Sequence, residues 1–397
     1  MRFAHRLQSF GSNVFAEMDL AKAQARAQGQ TIIDLSLGSS DLPTPRPILD
    51  TIATALNDPD THGYLLHQGT GDLRQAIAVW YEQRFGVAVN QNTEVLTLIG
   101  SQEGTAHLPL AILNPGDVAL LLDPGYPSHA GGVYLAGGEI YPMPLLAENH
   151  FLPVLAAIPN PVLAKAKLMV LSYPHNPTTA IAPLDFFQEA VTFCQRHDLV
   201  LVHDFPYMDL VFDGTPLPPS MLQADPDKTC SIEFFTFSKS YNMGGFRIGF
   251  AIGNPQLIAA LKQIKAVVDF NQYQGILQGA IAALQSPPTL VEKTVTTFSQ
   301  RRAALVDALA HIDWTVPLPP ATMYVWAPLP ASWSGNAVEF CQQLVAATGV
   351  ALSPGSGFGP AGEGYVRFAL VQPPHILVEA VKRIGHFLAP SQPVDGD

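Results

Sequence analysis

From about residue 70 to about residue 270 the sequence alternates short apolar runs with helix-periodic stretches, and this alternation restricts the fold more than any other feature. Leu73, Ala76, Ile77, Trp80 and Tyr81 recur at i, i+3, i+4, i+7 and i+8, the spacing of an amphipathic helix. The runs at 95–99, 118–122, 168–171, 199–202, 234–237 and 248–252 are apolar almost throughout, as strands covered on both faces should be. Helical stretches stand between several of them, for example at 186–196. A further helix opens at Asn254-Pro255, a side-chain cap followed by proline in the first turn. Strands alternating with helices predict an α/β domain around a mainly parallel sheet.

After Ser286-Pro287-Pro288 the pattern changes. A helical segment containing Arg301 and Arg302 leads to prolines at 317–320, a strand-like 323–326, a helix near 336–347, a strand at 365–370 and a C-terminal helix. This part reads as a smaller α+β domain. A chain of 397 residues is long for one hydrophobic core, so two packed units are expected. They are a large domain over 45–287 and a small one built from 1–44 and 288–397. No internal repeat or low-complexity linker interrupts them.

The acidic residues outnumber Lys and Arg by 33 to 21, a formal net charge of -12. That balance argues against nucleic acid or an anionic membrane as the main partner, since both reward clustered basic charge. It leaves room for a small local anion site. Cys194, Cys230 and Cys341 are far apart and odd in number, so neither a disulfide framework nor a metal knuckle is expected. The N-terminal stretch lacks the apolar core of a signal peptide, and no run approaches membrane-spanning length. A soluble cytoplasmic protein is the expectation.

In an open α/β sheet, ligands bind beyond the C-terminal ends of the strands. The residues just past the expected strand ends are Gly100-Ser101-Gln102, Pro124-Gly125-Tyr126-Pro127, Tyr173-Pro174-His175-Asn176-Pro177-Thr178, Asp204 with Tyr207, and Ser238-Lys239. Five strand ends thus offer an anion site, an aromatic face, an amide, a carboxylate and an amine. A single aromatic aldehyde phosphate would use all five.

The segment Phe237-Ser-Lys-Ser-Tyr-Asn-Met-Gly-Gly-Phe-Arg-Ile-Gly-Phe250 resembles the cofactor-lysine signature of class I/II pyridoxal-phosphate-dependent aminotransferases. It is most similar to the subgroup of alanine and LL-diaminopimelate aminotransferases. The resemblance extends to Leu35-Ser-Leu-Gly-Ser-Ser-Asp-Leu-Pro-Thr-Pro45, to Tyr64-x4-Gly69-x3-Leu73-Arg74, and to Pro354-Gly-Ser-Gly-Phe-Gly ending in Tyr365-Val-Arg367. It implies fold type I: a large domain with a mainly parallel seven-stranded sheet covered by helices, plus a smaller α+β domain.

The resemblance also implies roles. Lys239 would carry pyridoxal 5'-phosphate as a Schiff base and later shuttle a proton; a solvated surface lysine is the plain alternative. Asp204 would pair with the pyridinium nitrogen, where a helix cap or structural salt bridge is the alternative. Tyr207 and Asn176 would bond the ring hydroxyl, although Asn176-Pro177 also reads as a simple turn. Tyr126 would stack on the ring, or merely pack in its turn. Ser101, Gln102, Ser238 and Arg247 would form the phosphate cup. Tyr64 would reach the phosphate of a neighbouring subunit, which makes a homodimer the expected unit. Arg367 would clamp the substrate α-carboxylate, with Gly38 beside it. Tyr324 would line the substrate side, though core packing accounts for it equally. Where the family often has glycine after Asn-Pro-Thr, this chain has Thr179, so a local backbone difference without a lost role is expected.

Other readings are weaker. Gly357-Phe-Gly-Pro-Ala-Gly362 fits a dinucleotide pattern formally, but contains proline and runs towards a strand. No metal motif is present, and His203 reads as a hydrogen-bonded core residue. A ping-pong aminotransferase working on an L-amino acid and a 2-oxo acid is therefore expected. A lyase or decarboxylase on the same cofactor is the first rival. A non-catalytic regulator is the second, although no basic recognition helix accompanies it.

Overall fold

The computed structural model describes residues 3–10, 14–212 and 214–389, so parts of the N-terminal stretch and the last eight residues lie outside the description. The strands in chain order are β1 (Ile33–Asp34), β2 (Val95–Leu98), β3 (Val118–Asp123), β4 (Glu139–Pro144), β5 (Ala166–Leu171) and β6 (Val200–Asp204). Then follow β7 (Ser231–Thr236), β8 (Gly249–Gly253), β9 (Tyr324–Pro328), β10 (Val350–Ala351), β11 (Ser353–Pro354) and β12 (Tyr365–Ala369). The chain divides into two compact units, one of residues 1–11, 40–296 and 320–322, the other of 12–39, 297–319 and 323–397.

The larger unit holds a seven-stranded sheet in the order β2-β8-β7-β6-β5-β3-β4. All neighbours are parallel except β8, which is antiparallel to both β2 and β7. Successive residues of one strand feed two different cores. In β3, Leu120 and Leu122 join one apolar cluster, while Ala119 and Leu121 join the other. That is why the strand is apolar at every position: each fully buried Leu contributes about 1.5–3 kcal/mol on whichever face it points to. β2, at one edge, is buried throughout, whereas β4 at the other edge breaks the rule. Its sequence Glu-Ile-Tyr-Pro-Met-Pro buries only Met143, and proline is tolerated where one side of the ladder is unpaired.

The sheet topology gathers one edge. The C-terminal ends of β2, β3, β5, β6 and β7 all point the same way, and the start of β8 joins them: Leu98 and Thr236 both pair with Gly249. Asp204 pairs with Phe234, two residues below Thr236. The chain steps from β3 outward to β4 and then returns to β5 on the other side, creating a switch in winding direction at this edge.

The smaller unit pairs β1 with β10 in parallel and carries the antiparallel sheet β11-β12-β9. Helices Thr289–Ala310, Ala337–Thr348 and Pro374–Leu388 belong mainly to it; the Ala337–Thr348 helix opens with a capping box between Asn336 and Glu339. Gly357–Gly362 forms two short turns of 3-10 helix before β12, the wrong context for a dinucleotide loop. Among the described residues, no helix is long and apolar enough to cross a membrane.

Candidate active site

The large unit builds its site from the collected strand ends. After β7 the chain makes a single helical turn, Phe237–Ser240, which carries Ser238 and Lys239. Thr236 caps it, its Oγ1 accepting from the Ser238 amide at 3.2 Å. The Lys239 Nζ lies 5.8 Å from the centre of the Tyr207 ring. Tyr207 itself is buried in the turn that follows β6.

Asp204 ends β6 and is buried. Its Oδ2 accepts from His129 Nε2 at 3.1 Å, while Oδ1 has no hydrogen-bond partner among the described residues. A buried carboxylate oxygen left bare costs about 1–3 kcal/mol or more, so this geometry calls for a donor from outside the chain. His129 comes from the helix Pro127–Ala136, and its ring also meets Tyr126 edge-on at 5.5 Å. Asn176 is buried beside His175, whose ring is wholly enclosed and 2.7 Å from Thr178 Oγ1. Burial, reinforced by nearby His129, pulls the His175 pKa down to about 3, so this imidazole is neutral. Thr179 holds φ at 67°, a left-handed conformation uncommon for a β-branched residue, and its amide donates to the His175 carbonyl at 2.8 Å.

The anion side forms where β2 ends. The helix Ser101–Ile112 begins with Ser101 and Gln102, whose amides precede its first backbone bond, from the Glu103 amide to the Gly100 carbonyl at 3.2 Å. Gly100 before it has φ 101°, and a Cβ there would sit 2.9 Å from Arg247 Nη2. The backbone of Gly100 and the Arg247 guanidinium therefore need the glycine's bare face. Gln272 ties the same corner together, its Nε2 donating to the Leu98 and Arg247 carbonyls at 3.1 Å each. Behind the helix, Glu103, His107 and Asp269 cluster with metal-like spacing. Lys265 already fills that place, its Nζ 2.9–3.0 Å from Glu103 and 3.0 Å from Asp269. Tyr64 stands apart from the cluster: it is 91% exposed, with its ring 6.0 Å from that of Phe270.

The smaller unit brings its own three expected residues together. Arg367 on β12 is buried; its Nη2 donates to the Ser36 carbonyl at 2.8 Å, and its guanidinium lies 4.2 Å from the Tyr324 ring centre. A Cβ on Gly38 would run into the Tyr324 hydroxyl, so a larger residue there would displace that side chain. Tyr324 thus serves packing and also supports the arginine.

These observations agree with the relatives of the sequence. The family model for aminotransferase class I and II matches residues 30–384. The chain belongs to the class I and II aminotransferases. It is 43% identical to an LL-diaminopimelate aminotransferase of Dehalococcoides mccartyi over 98% of this chain and 99% of that one. A solved structure of a probable N-succinyldiaminopimelate aminotransferase from Thermus thermophilus superposes with a TM-score of 0.89 at 43% identity, covering 94% of this chain and 99% of that one. A Thermus thermophilus aspartate aminotransferase gives 0.88 at 26% identity, covering 97% and 100%. As a member of this family the chain is an aminotransferase that depends on pyridoxal 5'-phosphate, with a fold of type I.

The residues present fit that cofactor. A protonated ring nitrogen would supply the donor that Asp204 Oδ1 lacks, and the Ser101 helix start with Arg247 could take a phosphate. His129, Gln272 and the carboxylate Glu233 escape a reading of the sequence alone. Glu233 is wholly buried and accepts from Ser220 Oγ and the Met221 amide at 2.6 Å, from His203 Nδ1 at 2.8 Å and from Tyr81 at 3.0 Å. The other His203 nitrogen meets the Tyr173 backbone, which fixes the start of the segment carrying Asn176. An acidic residue inside the apolar run Ser-Ile-Glu-Phe-Phe was the available signal, because a buried charge demands partners.

Proposed function

We propose that the chain transfers an amino group from an L-amino acid to a 2-oxo acid by a ping-pong reaction centred on Lys239. The buried Asp204, with one oxygen on His129 and the other bare, at the same sheet edge as Lys239, is the observation that carries this reading. When bound, the cofactor supplies an electron sink for the bond broken at the substrate α-carbon. Asp204 keeps a proton on its ring nitrogen, and His129 holds the carboxylate in place for that task. Lys239 would hold the cofactor through its aldehyde group and, once released, would carry a proton at the substrate α-carbon. Tyr207 and Asn176 hold the ring hydroxyl, and Tyr126 covers the ring. Ser101, Gln102, Ser238 and Arg247 bind the phosphate oxygens. Arg367 grips the α-carboxylate with Gly38 beside it and Tyr324 beneath the guanidinium.

The active unit in this reading is a homodimer. Tyr64, Leu66, Val267, Val268 and Phe270 leave an exposed apolar group on the large unit, and Tyr64 there would serve the neighbouring subunit's phosphate. The two relatives at 43% identity are named for diaminopimelate skeletons, which makes a diaminopimelate-type molecule the first donor to test, in a cytoplasmic setting. The experiment is to load the protein with pyridoxal 5'-phosphate, add single amino acids and follow both the absorption spectrum and 2-oxo acid release. Conversion of the cofactor to its amine form with one 2-oxo acid released per site supports transamination. A lysine-bound cofactor that no donor converts, with carbon dioxide or a thiol released instead, would favour the decarboxylase or lyase.

A further inference from the structure

The helical turn that carries Lys239 is four residues long. A single turn has no cooperative stability of its own, because nucleation fixes several residues for one hydrogen bond. Its geometry must therefore come from anchors at its ends. The first end is capped by Thr236. The second end is Ser240, whose Oγ donates to Asp209 Oδ2 at 2.5 Å in a buried position. The other oxygen of Asp209 accepts from Arg84 Nη2 at 2.5 Å. Arg84 in turn lies over Trp80 and Phe85, 5.7 and 5.5 Å from their ring centres, on the helix Gly71–Phe85.

Asp209 occupies the same turn as Tyr207, since the Leu210 amide donates to the Tyr207 carbonyl at 3.1 Å. One hydrogen bond therefore links the segment bearing Asp204 and Tyr207 to the segment bearing Ser238 and Lys239. We infer that Arg84, Asp209 and Ser240 are positioning residues that set where the Lys239 amine stands relative to Tyr207 and Asp204. The inference rests on the reading of Lys239 as the cofactor lysine. None of the three touches the reacting atoms; they act through the lysine turn. The aromatic seat and the opposite charge fix Arg84, Arg84 fixes the Asp209 carboxylate, and the carboxylate fixes Ser240. A neutral serine hydroxyl held by an ion-paired carboxylate makes a stronger tether than one held by water.

The test uses full-length protein stripped of cofactor. On mixing with pyridoxal 5'-phosphate, the appearance of the lysine-bound absorption band measures how readily Lys239 captures the aldehyde, independently of turnover. Ser240→Ala, which removes one oxygen atom, should slow capture about tenfold, the scale of a sub-ångström misplacement, and shift the pH midpoint of the band. Because this variant also bares one oxygen of the buried Asp209 carboxylate, the thermal midpoint of the cofactor-free protein should fall by a few degrees, and capture is measured well below it. Asp209→Ala combined with Ser240→Ala should be no slower than the worse single variant, because both break one tether. Equal capture by wild type and Ser240→Ala would overturn the inference, as would losses that multiply in the double variant. A loss of capture that merely follows a fall in thermal midpoint would also overturn it. If the wild type itself forms no lysine-bound band, the reading of Lys239 fails first, and the anchor with it.

Discussion

His175 makes the stability of the large unit depend on pH in a way that can be worked out in advance. Its side chain has no exposed surface, and burial, with His129 adding to it, lowers its pKa from 6.5 to about 3. The folded protein holds this ring neutral, whereas the unfolded chain takes up a proton below its ordinary pKa. Stability from this group is complete above pH 6.5 and is lost as the pH falls towards about 3. At about pH 5 the unfolded form is favoured by roughly 1.5 units, or about 2 kcal/mol. His175→Asn removes that dependence while leaving a polar atom for Thr178. Urea unfolding of the cofactor-free protein at about pH 7.5 and about pH 5 should show the stability gap between wild type and variant narrowing by about 2 kcal/mol. A gap that stays constant between the two conditions would show that the ring already titrates in the folded state, and the burial argument would fail.

Gly100→Ala should cost about 1–3 kcal/mol of stability through its left-handed backbone and push Arg247 aside. Fluorescence titration should then give roughly tenfold weaker pyridoxal 5'-phosphate binding, and unaltered affinity would refute the anion-corner reading. His129→Ala leaves both oxygens of a buried Asp204 without a protein partner; unfolding should register a loss of about 1–3 kcal/mol in the cofactor-free protein, relieved in part when cofactor is added. Arg367→Lys keeps the charge but loses the planar fork, so KM for the amino donor should rise by about tenfold or more with a smaller fall in kcat. A change confined to kcat would argue against a carboxylate clamp.

Much of this was legible in the sequence, for physical reasons that can be named. The runs that became β2, β3, β5, β6, β7 and β8 were visible because strands buried on both faces are mostly apolar, with the few polar positions needing partners. β4 was not visible, since an edge strand with Pro142 and Pro144 lacks that signature. The reversed direction of β8 was equally hidden: direction depends on how the chain returns across the sheet. Lys239, Asp204 and Arg367 stood out because a charged residue next to an apolar run is costly without a purpose. His129 did not, because its meaning lies in a contact with Asp204, seventy-five residues further along the chain. Ser240 and Asp209 were silent for the same reason, each looking like ordinary polar surface until the fold joins them.

The central claim is that Lys239 forms the covalent link to the cofactor. Loading the protein with pyridoxal 5'-phosphate, reducing it with borohydride and mapping the modified peptide by mass spectrometry tests that claim directly. The account predicts one reduced cofactor per chain, attached to Lys239, and none retained covalently by Lys239→Ala. Modification at another lysine, or equal labelling of the Lys239→Ala protein, would contradict it.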